Sequence, residues 1–161
     1  MPRLFVKLKL ALKYNSAATL LILLILLPGC SFNRNWNQAD LNNYPDDDIS
    51  GLWEGEWNSD ATGHSGSLYA IITRHSNNHY IAHFKALYAL IPPLEWIPFE
   101  FKMPLRTTLS GEVHSFKGQE NLGCLAGGIY YYSGEANSLE FRANYTTSQD
   151  EGTFLLRRLQ P

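Results

Sequence analysis

The sequence predicts an all-β fold: an up-and-down antiparallel meander of about eight strands closed into a barrel, with a two-sheet sandwich as the alternative. Three observations carry this. Apolar and polar residues alternate with a period of two in several separate runs. Turn-forming clusters interrupt those runs at short, even intervals. Between Gly51 and Pro161 no extended segment shows a helical period.

The chain opens differently. Arg3, Lys7, Lys9 and Lys13 precede an apolar run from Ala17 to Leu27, with no acidic residue among them. That is the order of a secretory signal, a basic stretch followed by a hydrophobic one. As a helix the run would rise only about 16 Å against a hydrocarbon core of roughly 30 Å, so it is short for a span. Its end, Leu27-Pro28-Gly29-Cys30, resembles the lipobox of bacterial lipoproteins. The resemblance implies removal of residues 1–29, a diacylglycerol on the Cys30 thiol, and an acyl chain such as palmitate on the new amino group. Several chains anchor stably where one is marginal, at about 0.8 kcal/mol per buried methylene. Ser31 in second place resembles the outer-membrane sorting signal, which implies the periplasmic face of the outer membrane in a cell that has one.

Residues 30–50, rich in Asn and Asp, lack an apolar period and are expected to form a flexible polar tether. The remaining 51–161 suffice for one domain with its own core. Strands are expected near 51–58, 66–75, 79–89, 96–105, 108–118, 126–135, 138–146 and 152–160. In the third, Tyr80, Ala82, Phe84, Ala86 and Tyr88 alternate with His79, His83 and Lys85. In the fourth, Ile97, Phe99, Phe101, Met103 and Leu105 oppose Glu100, Lys102 and Arg106. In the seventh, Leu139, Phe141, Ala143 and Tyr145 oppose Glu140, Arg142, Asn144 and Thr146. The others are bounded by turn clusters such as "SDATGHSG" at 59–66, "LSGE" at 109–112 and "SQDEG" at 148–152. Short sequential connections favour a meander, and closure removes both exposed edges.

The first strand opens Gly51-Leu52-Trp53, and the last carries Arg157 and Arg158. This pairing resembles the calycin superfamily, which includes lipocalins, fatty-acid-binding proteins and avidins. The resemblance implies that Trp53 plugs one barrel end and that Arg157 or Arg158 covers it through a cation–π contact. The T-D-Y motif of kernel lipocalins is missing and no room is expected for their helix after the final strand, departures that set a true lipocalin aside in favour of a smaller barrel. Trp53-Glu-Gly-Glu-Trp57 also resembles the opening of heme-binding barrels of the nitrobindin type.

Charge and cysteine content exclude several classes. Without residues 1–29, nine basic residues face fifteen acidic ones, a formal charge of −6. That sign sets aside nucleic acid and anionic lipid as partners. If Cys30 is lipidated, Cys124 stands alone; an intramolecular disulfide is excluded, and Cys124 reads as a small core residue.

The candidate chemistry is modest. His79 and His83 share a strand face about 13 Å apart, too far to share a metal, although His75 faces His79 across a turn. His64, between Gly63 and Ser65-Gly66, is placed to reach a ligand or a heme at a barrel rim. Ser65 beside it makes no triad, because adjacent residues of an extended chain point apart. Glu54 and Glu56, roughly 6.5–7 Å apart on one face, match an inverting-glycosidase spacing but equally any charged strand face. No enzyme, metal site or cofactor is assigned. The aromatic load leads instead to a non-catalytic module binding a small apolar or amphipathic ligand. Trp53 and an arginine would seal one end, while Tyr80, Phe84, Phe99, Phe101 and Tyr131 would line the other. The alternative is a barrel filled by its own side chains, acting on an envelope protein in interaction, assembly or inhibition. The apolar 86–99 segment would then be a lid or a docking patch.

Overall fold

The alternation of the sequence becomes a wall with two faces. The computed structural model describes residues 30–88, 97–123 and 128–161; the expectations for residues 1–29, for 89–96 of the 86–99 segment and for Cys124 lie outside the described residues. Strands β1 (Gly51–Ser59), β2 (Ser65–Ser76), β3 (His79–Tyr88), β4 (Ile97–Ser110), β5 (Val113–Asn121), β6 (Ile129–Ala136), β7 (Glu140–Thr146) and β8 (Glu151–Arg158) each pair antiparallel with the next. β8 returns to β1, with Trp53 opposite Arg158 and Ser59 opposite Gly152, so the meander is a closed barrel and not a sandwich.

The apolar parity points inward. Leu68, Ala70 and Ile72 of β2, Ala82, Phe84 and Ala86 of β3, and Met103 and Leu105 of β4 are buried together. The opposite parity carries Glu54, Glu56, Lys102, Arg106, Lys117, Arg142 and Arg157, all exposed. This polarity is inverted relative to a membrane-spanning barrel, whose outer band is apolar. Among the described residues no helix is long and apolar enough to cross a membrane.

One seam is shorter than the rest. β4 and β5 pair only over Thr107–Ser110 against Val113–Phe116, whereas β3 and β4 pair over ten residues from His79 to Tyr88. The Thr107 N–H bonds to the Asn78 carbonyl on the β3 side, so even-numbered residues of β4 turn their backbone groups toward β5. Pro98 and Pro104 therefore sit with their missing N–H on the side where the ladder has ended, the position a strand proline tolerates.

Residues 30–50 are not a flexible tether, and this corrects the expectation from composition. Helix α1 (Cys30–Gln38) and a short 3₁₀ turn (Leu41–Asn43) lie on the outside of β1–β3. Phe32 and Trp36, four apart and so on one helix face, stack at 5.5 Å. Phe32 is 2% exposed and packs with Leu52 and Ile71, while Trp36 meets Tyr69 edge-on at 5.5 Å. Lys85 Nζ donates to Asn33 Oδ1 at 2.7 Å. Two large rings at helical spacing are enough to order a stretch that is otherwise polar.

Asp48, Ile49 and Ser50 are buried and close the barrel end nearest Trp53. Asp48 accepts from the Ile49 N–H at 2.6 Å and from Ser50 Oγ at 2.8 Å, and pairs with Arg74 Nε at 3.0 Å. Burial alone would raise the Asp48 pKa; hydrogen bonds from Tyr80, Ser50, Arg74 and the Ile49 N–H outweigh it and hold the carboxyl below its ordinary 3.8. His83 and His114 are both lowered from 6.5, first by burial; for His83 Glu100 opposes and Lys102 reinforces the shift, for His114 Asp48 opposes and Arg74 reinforces it. All three groups bind protons less readily folded than unfolded, so acid favours the unfolded chain. Thermal stability is expected to decline as pH falls below about 6.5, where the unfolded histidines protonate, and again below about 3.8 as the unfolded carboxyl does. A melting temperature unchanged between pH 7.5 and 5 would contradict this assignment.

Candidate functional site: the two barrel ends and the outer wall

A series of aromatic rings runs through the barrel along its length. Trp53 meets Phe141 at 6.2 Å, Phe141 meets Phe84 at 6.0 Å, and Phe84 stacks on Phe101 at 5.1 Å. Phe101 then meets Phe99 at 5.6 Å, Phe99 meets Tyr88 at 6.4 Å, and Tyr88 meets Trp57 at 4.5 Å. Phe116 and Phe154 widen this column on either side, against Phe141 at 5.1 Å and Phe84 at 5.7 Å. Each such pair adds roughly 0.5–1.5 kcal/mol beyond the area it buries.

The sealed end is held by polar contacts. Trp53, fully buried, donates Nε1–H to the Ile49 carbonyl at 3.1 Å. Arg158 donates to the carbonyls of Asp48 at 3.0 Å and Pro45 at 2.8 Å, so it clasps the closing segment by hydrogen bonds. Arg157 has the other parity and is exposed on the outer wall, which removes it as a cover. Tyr80 belongs here too, not at the opposite end as expected. Its hydroxyl accepts from Arg74 at 3.2 Å and its ring lies edge-on to His114 at 5.6 Å.

The opposite end is lined by Trp57, Tyr88, Phe99, Tyr130, Tyr132 and Tyr145. Three of these rings lie over a glycine of the neighbouring strand and bond to a carbonyl of the strand beyond. Trp57 crosses Gly66 to Leu87 O at 3.2 Å, Tyr132 crosses Gly118 to Pro104 O at 2.6 Å, and Tyr145 crosses Gly152 to Asn58 O at 3.5 Å. A Cβ at Gly118 would lie 2.6 Å from the Tyr132 hydroxyl, so only glycine leaves the ring its path. The Tyr132 bond bridges the seam where the β4–β5 ladder has ended. Gly118→Val is accordingly expected to lower unfolding free energy by about 1–3 kcal/mol, read by urea titration; a neutral effect would show that the ring does not need that path.

Tyr145 also donates to Asp150 Oδ2 at 2.9 Å, and Ser59 Oγ to Asp150 Oδ1 at 2.6 Å. Burial raises all four tyrosines. Tyr88, with help from Tyr130 and Asp150, and Tyr132, with help from Glu120, both reach about 12. Tyr130 and Tyr145 shift in the same direction, with Asp150 adding to each. All stay neutral donors at ordinary pH. The hydroxyls of Tyr88 and Tyr130 make no hydrogen bond to another described residue.

Phe84, Phe99 and Phe101 thus share one aromatic column. Tyr131 does not: it is 55% exposed, while Tyr130 and Tyr132 on either side turn inward. His64 is exposed in the β1–β2 turn; His75 and His79 are exposed at the far end of β2 and β3. Among the described residues no group of three or more His, Cys, Asp or Glu is placed to hold a metal. Glu54 and Glu56 flank a shallow groove on the outer wall with Arg142 and Arg157. A second shallow groove, about 950 Å³, lies between Arg106, Lys117, Glu135 and Arg142. Comparison with protein-family models, with curated proteins and with solved structures returns no match.

Proposed function

We propose that this chain is a lipid-anchored envelope protein whose filled barrel is a non-catalytic interaction module, meeting an envelope protein through its outer wall and loops rather than holding a ligand in a lumen. The observation that carries the reading is the unbroken column of rings from Trp53 to Trp57. A lumen occupied by its own side chains leaves recognition to the surface. The anchor rests on Leu27-Pro28-Gly29-Cys30 behind the apolar run, and Ser31 after the cysteine supports the periplasmic face of the outer membrane in a cell with two membranes. The test is titration with an apolar fluorophore such as 1-N-phenylnaphthylamine, with quenching of tryptophan emission as a second signal. The filled barrel predicts no saturable binding, and a one-to-one isotherm would contradict it.

A second reading keeps a small amphipathic ligand, bound at the tyrosine-lined end. It is favoured by the half-buried Tyr88 and Tyr130, whose hydroxyls bond to no described residue, beside Trp57 and Phe99. Such a ligand would bind more weakly to Tyr88→Phe, and unchanged binding by that variant would remove this reading.

A further inference from the structure

We infer that the outer wall of β4 and β5, next to the part of β3 that helix α1 covers, is the face this protein lays on an anionic phospholipid surface; the inference deepens, and rests on, the lipid-anchor reading above. Two independent placements support it, one of charge and one of the anchor.

The formal charge of −6 beyond residue 29 conceals a strong asymmetry. Every lysine after Cys30 lies on these three strands: Lys85 on β3, Lys102 on β4 and Lys117 on β5. Arg106 of β4 joins them, and Lys102, Arg106 and Lys117 are exposed on the outward parity. The two acidic residues of the same strands offset half of that charge and leave the three strands at a formal +2, and neither projects freely from the wall. Glu100 turns to His83 Nε2 at 3.4 Å, with both side chains 12% exposed, and Glu120 has the inward parity of Phe116 and Gly118. β1, two strands from β3, carries Glu54 and Glu56 and no basic residue. A chain-wide sum averages these two walls, whereas a surface meets one of them.

The helix that follows the anchor lies over β1 and β2, and its first residues reach β3 at the edge of the basic wall. Helix α1 begins at Cys30, and Asn33 one turn further on, a rise of about 4.5 Å, accepts the Lys85 hydrogen bond at 2.7 Å. Phe32 is buried, its ring 5.1 Å from His83 and 5.9 Å from Lys85 Nζ. With no slack between Cys30 and β3, a lipid on Cys30 enters the bilayer beside this wall. Lys102 lies opposite His83, next to that entry point, and a bilayer lying along the wall from there would also meet Arg106 and Lys117, where anionic phosphates attract basic side chains. Lipid chains together with a basic patch form the two-signal arrangement that makes membrane attachment stable.

The three lysines are also the natural reporters. The protein extracted from membranes is reconstituted into vesicles of phosphatidylethanolamine with phosphatidylglycerol, or of phosphatidylcholine alone. Amine acetylation is then followed peptide by peptide by mass spectrometry. Acetylation of Lys102 and Lys117 is expected to slow several-fold on the anionic vesicles relative to the neutral ones, and to recover in high salt. Equal rates on both would overturn the assignment, and protection that needs an added envelope protein would overturn it in favour of that protein. The intact mass, read first, reports separately on the anchor. If no acyl mass is present the lipid-anchor reading fails. The same footprint is then run with residue 30 held by a histidine tag to nickel-chelating lipid, where equal rates again overturn the wall assignment.

Discussion

Replacing Trp53 by alanine is expected to cost about 3–5 kcal/mol of unfolding free energy. The indole is fully buried, it touches Phe141 at the base of the ring column, and its N–H bonds to the carbonyl of Ile49. Truncation removes the transfer free energy of the ring, opens a cavity in a wall that cannot collapse, and leaves a buried carbonyl without its donor. Against a typical total of about 5–15 kcal/mol this is a large share. Trp53→Phe keeps most of the ring and loses the hydrogen bond, so a smaller cost near 1 kcal/mol beyond its volume change is expected. Urea unfolding of the three proteins at pH 7.5 measures both steps. A loss under about 1 kcal/mol for Trp53→Ala would mean that the sealed end does not contribute to the core.

Arg74→Met is expected to cost about 1–3 kcal/mol at neutral pH, more than its half-exposed side chain suggests. The reason is what remains. Asp48 is 2% exposed, and without the guanidinium it is a buried carboxylate held only by Ser50, the Ile49 N–H and Tyr80. Removing the buried partner instead, as in Asp48→Ala, leaves Arg74 able to turn to solvent and should cost less. The two variants also differ in pH dependence. In Arg74→Met the carboxyl loses a positive neighbour and its pKa rises, so the penalty should shrink as acid protonates Asp48. Equal costs for both variants at every pH would show that the pair is a surface interaction.

Most of the fold was legible because a barrel wall with one apolar face writes its parity into the sequence. Phe84 and Phe101 could be assigned inward from their own strands, since Lys85 and Lys102 sit beside them on the other parity. Tyr131 was misplaced because three successive tyrosines carry no alternation of their own. The signal lay further along β6, where Ser133 and Glu135 share the parity of Tyr131 and Ala136 that of Tyr132. Arg158 could be separated from Arg157 in the same way, through Phe154 and Leu156. What it holds was not legible, because the carbonyls of Pro45 and Asp48 belong to a segment more than a hundred residues away in sequence.

The closing segment and helix α1 were hidden for a different reason. Composition averaged over residues 30–50 is polar, yet Phe32 and Trp36 sit one turn apart and the barrel supplies the surface they cover. Long-range burial decides order there, and no local period reports it. The basic wall was hidden by the same averaging, this time of charge. The rings that cross Gly66, Gly118 and Gly152 could be recognised only once strand register placed each glycine between a ring and a carbonyl.

The proposed function has two parts, a lipid anchor on Cys30 and a barrel filled by its own side chains. Native mass spectrometry of the protein extracted from its own membranes without denaturant tests both halves at once. The expected mass is that of residues 30–161 plus the lipid on Cys30, unchanged under collisional activation. A reproducible additional mass that dissociates on activation, or a chain that retains residues 1–29, would contradict it.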